Sequence, residues 1–98
     1  MAFKIQIDQE ASEDIQKAIE WYNQHRTGLG RRFHEIVKTS INGLSRHPFY
    51  AIRYRNVRCL PLKKFPYMIH YTVDETHKIV VIQAVFHTSR DPERWDER

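Results

Sequence analysis

One cysteine, three glycines and four prolines are all the chemical punctuation in 98 residues, and each scarcity removes a class of protein. Cys59 has no partner in the chain, so neither an intrachain disulfide nor a cysteine-based zinc knuckle is available. No glycine-rich phosphate loop and no nucleophile elbow occur. No apolar run approaches the roughly 20 residues that cross a bilayer. The start, Met1-Ala2-Phe3-Lys4, lacks the apolar stretch of a signal peptide. These absences lead us to expect a cytoplasmic protein with no membrane association and no cofactor.

The most informative absence is of negative charge. No Asp or Glu occurs from Ile36 to Val73, while those 38 residues carry Lys38, Arg46, Arg53, Arg55, Arg58, Lys63 and Lys64. All twelve acidic residues lie outside, so the net charge of +4 conceals a polarised chain. A one-signed block on a sheet attracts polyanions or acidic peptides. Arg53, Arg55, Arg58, Lys63 and Lys64 are therefore candidates for holding phosphate or an acidic partner. The plainer alternative is a solvated basic face.

What is present suffices for one core. The chain is 41% hydrophobic and 12% aromatic, and we expect a single domain over residues 1–98. Phe3–Ile7 alternates apolar and polar residues, the period of a half-buried strand. Asp8 offers an N-cap to a first helix whose Ala11, Ile15, Ala18, Ile19 and Tyr22 share one face, with Trp21 beside it. Gly28 and Gly30 mark the break after His25-Arg26. A second helix carries Leu29, Phe33, Ile36, Val37, Ile41 and Leu44 to His47-Pro48, where proline forbids continuation. So short a connection predicts an antiparallel helix hairpin. Ile52–Tyr54, Val57–Leu62, Tyr67–Val73 and Lys78–Phe86 read as strands, with Pro61 indicating an edge or a bulge. The expected class is α+β, in the order β-α-α-β-β-β: an N-terminal strand and a helix hairpin on a mainly antiparallel sheet, ending in a short helical turn.

Six histidines are present, yet no pair has the i, i+3 or i, i+4 spacing of a helical metal site, so no metal is expected. Alternation along Tyr67–Val73 turns Tyr67, Ile69, Tyr71 and Val73 to the helices. It leaves His70 on the open face, in line with His87 or as an ordinary surface histidine. At the end of the last strand, His87-Thr88-Ser89-Arg90 offers an ionisable ring beside a planar cation. His87 and Arg90 could serve acid/base work on a phosphodiester, with Arg58, Lys63 or Lys64 on the phosphate. The alternative is structural: Asp91 caps a terminal turn opened by Pro92, Arg90 and Arg94 are solvated, and Trp95 plugs the core.

Taken in order along nearly the whole chain, these features resemble the RelE/ParE superfamily of type II toxin–antitoxin toxins, most nearly its ParE-like branch. The resemblance rests on Ala11 to Tyr22, Leu29-Gly30-x-x-Phe33, Leu44-x-x-x-Pro48 and Arg58-x-Leu60. It continues through Phe65-Pro66-Tyr67-x-Ile69-x-Tyr71 and Val85 to Pro92. It implies a bacterial growth inhibitor neutralised by a cognate antitoxin. ParE-like members poison DNA gyrase, whereas RelE-like members cleave messenger RNA on the ribosome without a metal. By position, His87 and Arg90 match where nuclease members keep C-terminal catalytic residues, and Arg58 matches a basic residue on the second strand. No tyrosine follows His87, and Lys63-Lys64 is not placed like the nuclease lysines. Binding poison, ribosome-dependent endoribonuclease and inactive remnant all stay open at this point.

Overall fold

The computed structural model of the protein describes residues 2–97. Its elements are β1 (Lys4–Ile7), α1 (Gln9–His25), α2 (Leu29–Leu44), β2 (Ile52–Tyr54), β3 (Val57–Pro61), β4 (Tyr67–Asp74), β5 (Ile79–His87) and a terminal 3-10 helix, Pro92–Glu97. The expected α+β order holds. The five strands lie in the order β1-β5-β4-β3-β2, with β1 parallel to β5 and every other pair antiparallel.

Asp8 stands at the N-cap position of α1, but its side chain makes no capping bond, contrary to expectation. Its backbone is occupied instead. The Asp8 amide continues the parallel ladder to the Ile82 carbonyl at 2.9 Å, and its carbonyl accepts the Ser12 amide at 3.0 Å. The chain thus passes from strand to helix without a gap in backbone pairing. Where β1 stops, β5 would be left with an orphan amide at Val85. Asp14, one helical turn in from the start of α1, accepts that N–H at 3.0 Å and substitutes for a missing strand.

Gly28 takes the left-handed conformation (φ 87°) that reverses the chain between the helices. Gly30, expected to be part of the same break, lies inside α2 and has a packing role. Its amide donates to Asn23 Oδ1 at 2.9 Å, and a Cβ there would collide with the Ile19 carbonyl oxygen and the Asn23 side chain. Beyond it, Phe33, Val37, Ile41 and Leu44 form the buried stripe of α2. The helix stops at Leu44, ahead of Pro48, and Ser45, still right-handed helical in its backbone, ties this end of α2 to the N-terminal segment. The Ser45 Oγ donates to the Phe3 carbonyl at 2.9 Å while Phe3 N–H donates to the Ser45 carbonyl at 2.8 Å.

Between helices and sheet lie Phe33, Leu44, Ile69, Tyr71, Val80 and Ile82, all essentially fully buried. Tyr22, Phe33, Phe65 and Tyr67 meet there with ring centroids 5.0–6.1 Å apart, in the range of favourable aromatic pairs. The Tyr71 hydroxyl donates to the Pro48 carbonyl at 2.6 Å, pinning the loop after α2 to the sheet. Pro61 ends β3 beyond the reach of β2, which pairs only as far as Arg58, so the expected edge position is correct.

The second sheet face requires a correction. His70 does not stand on an open surface; it is 0% exposed. Cys59 and Ala84 are its register partners, and their small side chains leave room above it. Trp95 from the 3-10 helix and Tyr54 from β2 fill that room, with Trp95 4.8 Å and Tyr54 5.7 Å from the imidazole, ring to ring. With Met68 and Phe86 they form a second, smaller apolar cluster. A single extra residue on β5, Gln83, bulges the pairing next to this point.

Candidate functional site

The end of β5 carries His87 into solvent opposite Tyr67, their rings edge to face at 5.1 Å. The chain then folds back tightly. The Thr88 amide donates to the Pro66 carbonyl at 2.8 Å and the Arg90 amide to the His87 carbonyl at 3.0 Å. The Ser89 amide donates to His87 Nδ1 at 3.0 Å, with Ser89 Oγ 2.7 Å from the same nitrogen. Because an amide can only donate, Nδ1 is an acceptor and the proton of neutral His87 sits on Nε2. His87 therefore presents a donor outward. The Arg90 guanidinium lies 4.2 Å over the Phe86 ring, held by a cation–π contact.

The structural expectation for the tail is met as well. Asp91 Oδ1 accepts the Glu93 amide at 3.0 Å and caps the terminal turn, and Trp95 is buried at 7% exposure. Arg98, the last basic residue of the tail, lies outside the described residues.

The five basic candidates do not gather around His87. Arg58 lies at the level of Tyr71 and hence Ile82, five residues along β5 from His87. That is about 15 Å along the strand, too far for both to hold one phosphate. Its guanidinium donates to the Tyr50 carbonyl at 2.6 Å and covers Phe49 at 5.2 Å, so it serves the loop after α2. Arg53 is exposed on the edge strand β2, and Arg55 occupies the β2–β3 turn with φ 49°. Burial pushes the Cys59 thiol above its ordinary value, and the charge of Arg53 only partly opposes this. Lys63 and Lys64 lie in the β3–β4 loop, with Lys64 at φ 68°.

The two lysines rim a groove between α2 and β3. It has a volume of about 470 Å³, with Ile36, Leu44, Tyr50 and Leu60 in its lining. A second hollow of about 380 Å³, lined by Tyr22, Leu29, Arg32 and Phe65, shares Ile36 and Lys64 with the first. Together they make an apolar trough with a basic rim, suited to an amphipathic acidic segment. Beside it Phe49, Tyr50 and Ile52 are large apolar residues 44–55% exposed.

Sequence reasoning passed over Trp21, which stands 50% exposed on α1 with His25 stacked on it at 3.8 Å. Its place beside the apolar stripe was the available signal. The Tyr54–His70–Trp95 cluster was also missed, because it joins residues from three separate segments. Among the described residues no group of three or more His, Cys, Asp or Glu side chains could hold a metal ion. No described helix is long and apolar enough to cross a membrane.

Comparison with solved structures gives the same architecture. A chain of the chromosomal ParDE toxin–antitoxin system of P. aeruginosa superimposes with a TM-score of 0.78 at 13% identity, covering 90% of this chain and 98% of that one. A chain of the intact E. coli RelBE toxin–antitoxin complex gives 0.69 at 17% identity, covering 91% and 100%. One from the RelBE2 complex of Mycobacterium tuberculosis gives 0.61 at 21%, covering 89% and 99%. No curated protein matches the sequence significantly. Residues 5–92 match the family of the ParE toxin of the type II toxin–antitoxin system parDE. With that match running over nearly the whole chain, the chain belongs to the ParE toxin family, within the RelE/ParE superfamily of type II toxins.

Proposed function

We propose that this toxin arrests growth in the cytoplasm as a binding poison, with DNA gyrase the favoured target, and that a cognate antitoxin silences it. The observation that carries this reading is the dispersal of its ionic residues. A phosphodiester nuclease needs its acid, its base and its phosphate-holding cations around one point. Here His87 and Arg90 lie at one end of the sheet, and Arg58 serves a loop beside a point five residues farther along it. A poison needs only shape and charge. The antitoxin contact we assign to the basic-rimmed trough of Lys63 and Lys64, where an acidic amphipathic segment would fold on binding.

The rival reading, a ribosome-dependent, metal-independent messenger RNA endoribonuclease, draws on the outward Nε2–H of His87 near Arg90, a plausible general acid beside a phosphate clamp. The two part on one experiment. Purified toxin should inhibit gyrase supercoiling and accumulate cleaved DNA, and His87→Ala should leave both effects in place. Programmed ribosomes should yield no cleaved message. Cleavage at the ribosomal A site that disappears with His87→Ala, a loss of about 10²–10⁴-fold for a missing general acid, would reverse the assignment.

A further inference from the structure

Phe49, Tyr50 and Ile52 are 55%, 44% and 52% exposed, three large apolar side chains within four consecutive residues. Apolar side chains concentrated in one exposed place mark interaction surfaces, and here the backbone beneath them is held at each residue from Pro48 to Tyr50. The Tyr71 hydroxyl donates to the Pro48 carbonyl at 2.6 Å. The Phe49 ring meets the Arg58 guanidinium at 5.2 Å and Phe3, edge to face, at 5.8 Å. The same guanidinium donates to the Tyr50 carbonyl at 2.6 Å. Ile52 is the register partner of Arg58, so the two side chains leave the sheet on one face. One arginine thus gathers all three residues. Lys78 supplies a second cation, its Nζ 5.3 Å from the centre of the Phe3 ring. The result is a fixed aromatic patch with cations at its base, set in the stretch from Ile36 to Val73 that contains no acidic residue.

We propose that this patch is the surface with which the toxin grips its target, and that the target presents a folded protein surface with an apolar recess and an acidic border. The inference deepens the binding-poison reading and rests on it. Aromatic rings and arginine dominate the energetics of protein interfaces, and rings already fixed in place lose little freedom on docking. Other occupants fit less well. A second copy of this chain would bring the cations of both patches together, like charge against like. An anionic membrane takes up aromatic and basic side chains without needing them fixed. The acidic segment assigned to the trough needs a concave bed, and of the three exposed residues Tyr50 alone lines that bed.

Growth arrest on induction in cells reports engagement of the target whatever it is, and binding of purified gyrase holoenzyme reports whether that target is gyrase. We expect Phe49→Ala to weaken gyrase binding at least tenfold and Ile52→Ser about fivefold, the scale of interface anchors, and the two together to relieve growth arrest. Ile7→Ala, at a residue 42% exposed on the opposite edge strand, should leave binding and arrest unchanged. Thermal unfolding is measured for each variant. Ile52→Ser leaves the contacts of Arg58, Tyr71 and Phe3 with the loop in place, so it carries the test if Phe49→Ala loosens that segment. Arrest that depends on Phe49 and Ile52 without any gyrase binding removes gyrase as the target and keeps the patch as the contact. Arrest and binding untouched in both folded variants overturn the proposal. So do patch-dependent sedimentation with phosphatidylglycerol vesicles, patch-dependent cleavage of message on ribosomes, and dimerisation in gel filtration that Ile52→Ser abolishes.

Discussion

Tyr71 shows how one hydroxyl can tie a loop to a sheet and carry a pH signature with it. Burial pushes its phenol from an ordinary 10.0 up to about 12, opposed only in part by the Arg58 charge and a backbone hydrogen bond. The folded state therefore keeps this proton at pH values where the unfolded chain releases it. The stabilisation is fully present below pH 10 and is lost as pH rises toward 12. Melting curves across that window should fall more steeply for the unaltered protein than for Tyr71→Phe. At neutral pH Tyr71→Phe should cost about 1–3 kcal/mol, because the buried Pro48 carbonyl loses its donor. Asp14 is the companion case in the helix layer. Asp14→Leu should cost a similar ~1–3 kcal/mol by stranding the Val85 amide, with faster hydrogen exchange at Val85 as its local signature. Neither partner was legible in the sequence, since Tyr71 and Pro48 are joined only by folding, as are Asp14 and Val85.

The helix hairpin depends on how closely α1 and α2 approach, and two glycines of α2 test that in opposite directions. Gly30→Ala places a Cβ against α1 backbone, so it should destabilise by about 1–3 kcal/mol despite the better helix propensity of alanine. Gly43 has nothing within 4 Å of a built Cβ, so Gly43→Ala should stabilise by about 0.5–1 kcal/mol. Urea unfolding of both variants measures the contrast, and equal effects would show that the tight crossing is not what Gly30 provides. At the other layer, truncation after Pro92 removes Trp95 from above His70 and should cost about 3 kcal/mol, the scale of losing a buried aromatic. Unchanged thermal unfolding would show the tail to be unanchored. Element type and order were readable because both helices keep one apolar stripe and β4 alternates cleanly. The end of α2 differs from the expected His47 by only a tapering turn, in which the His47 amide still bonds the Gly43 carbonyl. His70 was misread because alternation tells which face a residue is on, and only tertiary packing tells whether that face is covered. His87 and Arg90 were legible as neighbours, but their separation from Arg58 depended on strand order.

Across the whole molecule, the acid-free stretch runs from the second half of α2 through β2 and β3 into β4, and Lys63 and Lys64 are its basic residues that line the trough. Binding of an acidic segment there should weaken as salt rises, and Lys63→Glu with Lys64→Glu should lower affinity at least tenfold while leaving thermal stability within about 0.5 kcal/mol, as exposed charges do. The sheet order has a further consequence. β1 is made first, yet its partner is β5, whose residues 79–82 follow it by some seventy-five positions. No sheet neighbour exists for β1 until residues 79–82 have been made, and at about 5–20 residues per second this is a wait of several seconds. A partly synthesised chain cannot close its core or position the tail beyond β5.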